Sequence, residues 1–247
     1  MKAAVRAELI KFRSVRSSIV LLCFVVAAAL IVAVLVGSLS NTNDSVFALL
    51  IGVQISRLLV GVLAVLMITQ EYRFSTIRAT LAANPRRLQV YGAKVLTTVG
   101  LTVVASIALM VGALGIGGGI YQARSQSIAW GAGTTWRVVG GNMAMMVAFA
   151  LACLGIGAII RSSAGAIVVS MVWPLVIESV LAGLLSVFHH ESWTKWLPFN
   201  AGQLVTVGDL GDSTVDRFAP WTGFAYFCLW AAALVALGGW LLQRRDA

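Results

Sequence analysis

Charge is what this chain has least of. Of its 247 residues, 11% are Asp, Glu, Lys or Arg and 60% are hydrophobic, and mean hydropathy is +0.93. A soluble domain of this length needs far more polar surface, so a soluble enzyme or binding module is excluded. Acids are the scarcer sign, 9 against 18 bases. The bases lie beside apolar runs and form no soluble basic domain that could hold a duplex, so nucleic acid is not the expected partner. Three cysteines, Cys23, Cys153 and Cys228, all fall inside apolar runs without metal-ligand spacing. They read as buried small apolar side chains, with no disulfide framework. The two histidines, His189 and His190, adjoin Glu191. Three consecutive residues cannot all face one ion, and no nucleophile elbow appears, so a metal centre and serine-based catalysis are not expected. No GxxxxGK[ST] phosphate loop occurs, and the glycine run at 115–119 lacks a following lysine. The chain therefore does not hydrolyse ATP by that route.

What is present is a series of apolar runs near the length that crosses a bilayer. Six spans are expected, at 18–37, 46–69, 90–116, 138–160, 164–187 and 223–242. The first has no convincing cleavage site and reads as an uncleaved span. With the N-terminus inside, Lys2, Arg6, Lys11, Arg13, Arg16, Arg73, Arg78, Arg86, Arg87, Lys94, Arg161, Arg244 and Arg245 fall inside, against Arg124, Arg137, Lys195 and Arg217 outside. That bias predicts both termini in the cytoplasm. Trp130, Trp136, Trp193, Trp196 and Trp221 gather at the expected outer surface, where indoles belong. The outer segment 117–137 opens on glycines and is expected to be a flexible loop. The outer segment 188–222 contains WTKWLPFNAGQLV, too apolar for a solvated loop and too short to span. A short helix dipping into the membrane is expected there.

Two polar segments stand on the inner side. In residues 1–17, Lys2, Arg6, Arg13 and Arg16 share a helical face, with Ala3, Ala7, Ile10 and Val15 roughly opposite and Leu9 interrupting the basic face. Such a helix can lie along an anionic membrane surface. Residues 70–87 read QEYRFSTIRATLAANPRR. Phe74, Ile77 and Leu81 make an apolar stripe, Ser75 or Thr76 is placed to cap a fresh helix, and Asn84-Pro85 stops it.

The run Glu71-Tyr72-Arg73, then Thr76-Ile77-Arg78, Leu81, Pro85 and Arg87, with Lys94 opening the next span, resembles permease subunits of bacterial ATP-binding-cassette exporters of the type-two permease class. The resemblance extends over six spans, the basic N-terminal helix, and LPFNAGQL before the last span. Ser75 stands where the pattern usually has glycine. The resemblance implies an all-α polytopic fold. The segment 70–87 would hold a cytoplasmic coupling helix between spans two and three, and residues 1–17 a connecting helix beside it. Glu71, Tyr72, Arg73, Thr76, Arg78 and Leu81 would couple to a separate ATPase subunit that binds ATP and Mg. It also implies a second permease, identical or homologous, and a bacterial cytoplasmic membrane. The chain itself would carry no cofactor and no catalytic residue. A hydrophobic or amphipathic cargo is expected, such as a drug, a peptide antibiotic or a lipid. Sodium extrusion within the same class and an ATP-independent channel or carrier are the alternatives. An intramembrane enzyme would need paired acids or histidines within the spans, and only Glu178 is there.

Two charges fall inside spans. Arg57 lies about 18 Å beyond Thr69 and Glu178 about 21 Å beyond Ala164 at helical rise. Unpaired, each costs about 2.5–3.5 kcal/mol at a span centre. They are expected either to pair or to face a translocation path. Pro174, in the fifth span, is expected to kink it.

Overall fold

The computed structural model describes residues 2–14, 16–39, 46–77, 80, 82, 86–125, 130–208 and 216–244. Among these the chain is helical, with no strand, and six helices are long and apolar enough to cross a membrane.

The order is α1 (Lys2–Ser14), α2 (Arg16–Leu39), α3 (Val46–Leu49), α4 (Ile51–Arg73), α5 (Arg87–Ala123), α6 (Gly133–Ile160), α7 (Ser163–Val172), a π-helical turn (Trp173–Ile177), α8 (Glu178–Val187), a 3-10 turn (Glu191–Trp196), α9 (Pro198–Gln203), a second 3-10 turn (Leu204–Thr206) and α10 (Pro220–Arg244). The six spans are α2, α3 with α4, α5, α6, α7 to α8, and α10.

Helix α6 is the hub. It packs most extensively against α4 and α10, and α4 packs in turn on α2. Of the apolar windows, 61% is buried in both α4 and α6, against 17% in the span 163–187. The core is aliphatic and methionine-rich, with Leu154, Met145, Met146, Val65 and Ile68 all at most 1% exposed. Without a hydrophobic drive between helices in lipid, close approach depends on small residues. A Cβ at Gly155 would stand 2.7 Å from the Leu234 backbone carbonyl carbon of α10.

Three expectations change. The glycine run 115–119 is helical, because α5 continues to Ala123. Gly117 lies directly under Leu49, where a Cβ would come within 2.6 Å of the leucine methyl. Gly117 thus serves packing, whereas a Cβ at Gly115 or Gly119 would meet nothing within 4 Å. Helix α1 turns an ionic face inward: Glu8 is buried, while Leu9 and Ile10 are exposed. The side chains of Lys2, Ala3, Arg13 and Arg16, and all of Val15, lie outside the described residues. Cys153 is buried, but Cys23 lies exposed on the flank of α2.

The segment expected to dip into the membrane holds a short helix, α9. Helix α9 with its two flanking 3-10 turns packs on α8, α10 and α6. We call the end of the bundle that carries α1 proximal and the end that carries this segment distal.

Candidate functional site

At the proximal end, four side chains from three helices meet. Lys94 of α5 is 2% exposed. Its ammonium donates to Glu8 Oε2 at 2.9 Å, Glu71 Oε1 at 2.8 Å and the Met67 carbonyl at 3.2 Å. All three of its protons are therefore used. Lys11 donates to Glu71 Oε1 at 2.7 Å and to Glu8 Oε1 at 3.1 Å. It also reaches the Thr80 hydroxyl at 3.5 Å. Two carboxylates and two ammoniums alternate, so the cluster is neutral as a unit. Burial works against the charge on Lys11. The hydrogen bond and charge of Glu71, joined by Glu8, outweigh it and raise the Lys11 pKa above the ordinary lysine value. A raised cation keeps its contribution through neutral pH and loses it only on the alkaline side.

The motif residues separate here. Glu71 is committed to this junction. Tyr72 is half-buried beneath the Arg161 guanidinium, 5.2 Å from its ring centroid. Arg73 is exposed and lies over the Phe74 ring at 5.5 Å. Thr76 is exposed, and its N–H donates to the Glu71 carbonyl at 3.0 Å. Arg78, Leu81 and Pro85 lie outside the described residues. Lys94, read from sequence chiefly as an orientation signal, is the centre of the junction. Glu8 was missed altogether, because one acid among basic neighbours carries no periodic signal.

Helix α4 ends at Arg73, and the chain turns through Phe74–Thr76. Ser75 adopts φ 55°, the left-handed region that favours glycine. The turn points Phe74 outward, 66% exposed, while Ile77 is 5% exposed. Phe74 and Ile77 therefore do not share a face, which corrects the expected stripe. The Thr76 hydroxyl donates backward, to the Glu71 carbonyl at 3.5 Å, and the expected cap at Ser75 or Thr76 falls on a first turn that lies in part outside the described residues.

Deeper in the bundle, Arg57 and Glu178 do not pair. Glu178 is fully buried and accepts from four donors. These are the Trp173 indole at 2.9 Å, the Phe199 N–H at 2.9 Å, the Asn200 N–H at 2.8 Å and the Asn200 side-chain amide at 3.1 Å. Leu197 gives α9 no side-chain cap. Glu178 supplies that cap from another helix, satisfying two orphan N–H groups, while Pro198 at the first position has none to satisfy. The π turn makes this possible. Its last bond runs from the Glu178 N–H to the Trp173 carbonyl, five residues back. In a regular helix these two side chains would stand about 140° apart at about 100° per residue. The added residue per turn brings both toward α9. The expected disturbance at Pro174 is thus a π turn, with the proline inside it.

Arg57 is 2% exposed. Its guanidinium lies 5.2 Å from the Phe199 ring centroid. One long hydrogen bond of 3.5 Å runs from Nη2 to Gln203 Oε1. Its Nε and Nη1 have no partner among the described residues.

Two cavities flank α9. One, of about 230 Å³, is walled by Trp173, Pro174, Phe199, Phe227, Trp230 and Leu234, with Glu178 beneath. The other, of about 350 Å³, is distal and of mixed lining, with Thr194, Lys195, Asn200, Gln203 and Arg217 beside Ala201, Leu204 and Val207. Lys195 there is ion-paired to Asp216.

No known protein family matches this chain, and no curated protein does so either.

Proposed function

We propose that this chain is the membrane-spanning permease subunit of an ATP-driven exporter, working with a separate ABC-type ATPase and a second permease. The observation that carries the reading is the proximal ionic junction. It ties α1, the Glu-Tyr-Arg end of α4, the start of α5 and Thr80 of the polar segment into one block. A push delivered to residues 74–86 from the aqueous side passes directly into two spans. Arg73 and Phe74 face outward on that block, free of the junction that holds Glu71. They are the contact residues this reading favours. ATP and Mg would be held by the partner. The cargo leaves through a bundle whose lining is apolar around α9, which suits a hydrophobic or amphipathic compound.

The test is a co-purification. The solubilised chain, expressed with the ATPase encoded beside it, should bring that ATPase down, and Arg73→Glu with Phe74→Asp should release it. If no ATPase accompanies the wild-type chain and ATP leaves transport unchanged, the reading fails and an ATP-independent carrier takes its place.

A further inference from the structure

We propose that Arg57 is the anchor of an anion site that receives the phosphate or carboxylate group of an acidic ligand through the distal cavity. The argument starts from an imbalance. A charge within a span needs a counter-charge, or donors and acceptors to match. Glu178, the acid at a similar depth, is saturated by four donors and is not paired with Arg57. Arg57 keeps two buried nitrogens without a partner, and its single hydrogen bond is long. A third buried nitrogen without a partner, Nε2 of Gln54, belongs to the residue three positions earlier on α4. Residues so spaced are neighbours on a helix surface. Every unmet atom of this group is a donor. An oxyanion is the ligand that such a set lacks, and a planar guanidinium binds one through two parallel N–H groups.

A route is present. Gln203 is both the sole hydrogen-bond partner of Arg57 among the described residues and a wall of the distal cavity. Rotation of that one side chain would open Arg57 to a space lined by Arg217 and by Lys195, the latter already paired with Asp216. On the other side, Phe199 stacks on Arg57 and also walls the apolar cavity. An acidic amphiphile would therefore find a basic anchor and an apolar groove on the two sides of one ring. As a cargo site this rests on the permease reading, whereas as a binding site it does not.

The purified full chain in nanodiscs of neutral phosphatidylcholine, without any ATPase, is titrated with dodecyl phosphate, inorganic phosphate and dodecyltrimethylammonium. Tryptophan fluorescence reports binding, since Trp173 and Trp230 line the apolar cavity against Phe199. Saturable binding of dodecyl phosphate is expected, weakened at least ten-fold by Arg57→Gln, several-fold by Gln54→Leu, and less by Arg57→Lys than by Arg57→Gln. Competition by inorganic phosphate at similar concentration assigns the site to a free oxyanion. Failure of inorganic phosphate to compete assigns it to an amphiphile headgroup. Either supports the site. Equal binding of the cationic amphiphile, or dodecyl phosphate binding indifferent to Arg57→Gln, overturns it. Should Arg57→Gln not stay monodisperse, an undiminished affinity in Gln54→Leu and Arg57→Lys together overturns it instead. Loss of this site would leave the co-purification of an ATPase untouched, so the two readings fail separately.

Discussion

Lys94 shows how much one side chain can hold when it is buried with all its partners. Its ammonium donates to two carboxylates and a carbonyl at once. Removing one member of such a cluster leaves buried charge uncompensated, at about 3–5 kcal/mol. Lys94→Met is therefore expected to free α1 from the bundle, seen as protease cleavage within the first turns while the spans stay folded. Glu8→Gln with Lys94→Met removes one charge of each sign and leaves the Lys11–Glu71 pair. Its cost should fall below the sum of the two single variants, as residues in one network are not additive. An additive result would mean that Glu8 and Lys94 do not interact. Ser75 is the opposite case, a residue held against its preference. At φ 55°, Ser75→Gly should gain about 1 kcal/mol by relieving left-handed strain. Thermal unfolding of the solubilised protein checks it, and a loss of stability would show that the serine hydroxyl matters more than the backbone.

Among the elements, the fifth span depends on a local irregularity. The π turn at Trp173–Ile177 directs Glu178 onto the start of α9. Helix α9 has only six residues, too few to be stable alone, so it relies on that remote cap. Pro174→Ala restores a backbone N–H and lets the turn relax toward regular helix. The expected outcome is faster hydrogen exchange at the Phe199 and Asn200 amides, which lose their acceptor. Glu178→Ala should produce the same change. If Pro174→Ala leaves both amides protected, the π turn is not what aims Glu178.

For the molecule as a whole, cohesion comes from helix contact rather than from expulsion of water. Helix α6 touches both its main partners through glycine. Gly155→Val would drive its side chain into the α10 backbone, where nothing flexible can yield. Overpacking of this kind costs about 1–3 kcal/mol. The expected result is a less stable, polydisperse protein in detergent. Gly183→Val provides the control, since a Cβ there meets nothing within 4 Å and should be neutral. Equal behaviour of the two variants would argue against the glycine seam between α6 and α10.

The sequence alone determined the spans, because twenty apolar residues in a row have few other uses and hydropathy is local. It also marked 188–222 as neither loop nor span, and singled out Arg57 and Glu178 as charges needing an explanation. It predicted that they pair or share a path, and only the tertiary structure showed that Glu178 binds other donors and forms no ion pair with Arg57. Pairing is a question of distance between helices far apart in the chain, and sequence holds no such distance. The same reason hid the junction. Glu8, Lys11, Glu71 and Lys94 span 86 positions between Glu8 and Lys94, and their spacing follows no helical period. Phe74 failed for a local reason: periodicity assumes one continuous helix, and the left-handed turn at Ser75 ends one before the next begins. Composition made six helices long and apolar enough to cross a membrane. The fold decided which of its few charges are satisfied within the chain and left Arg57 with donors unmet.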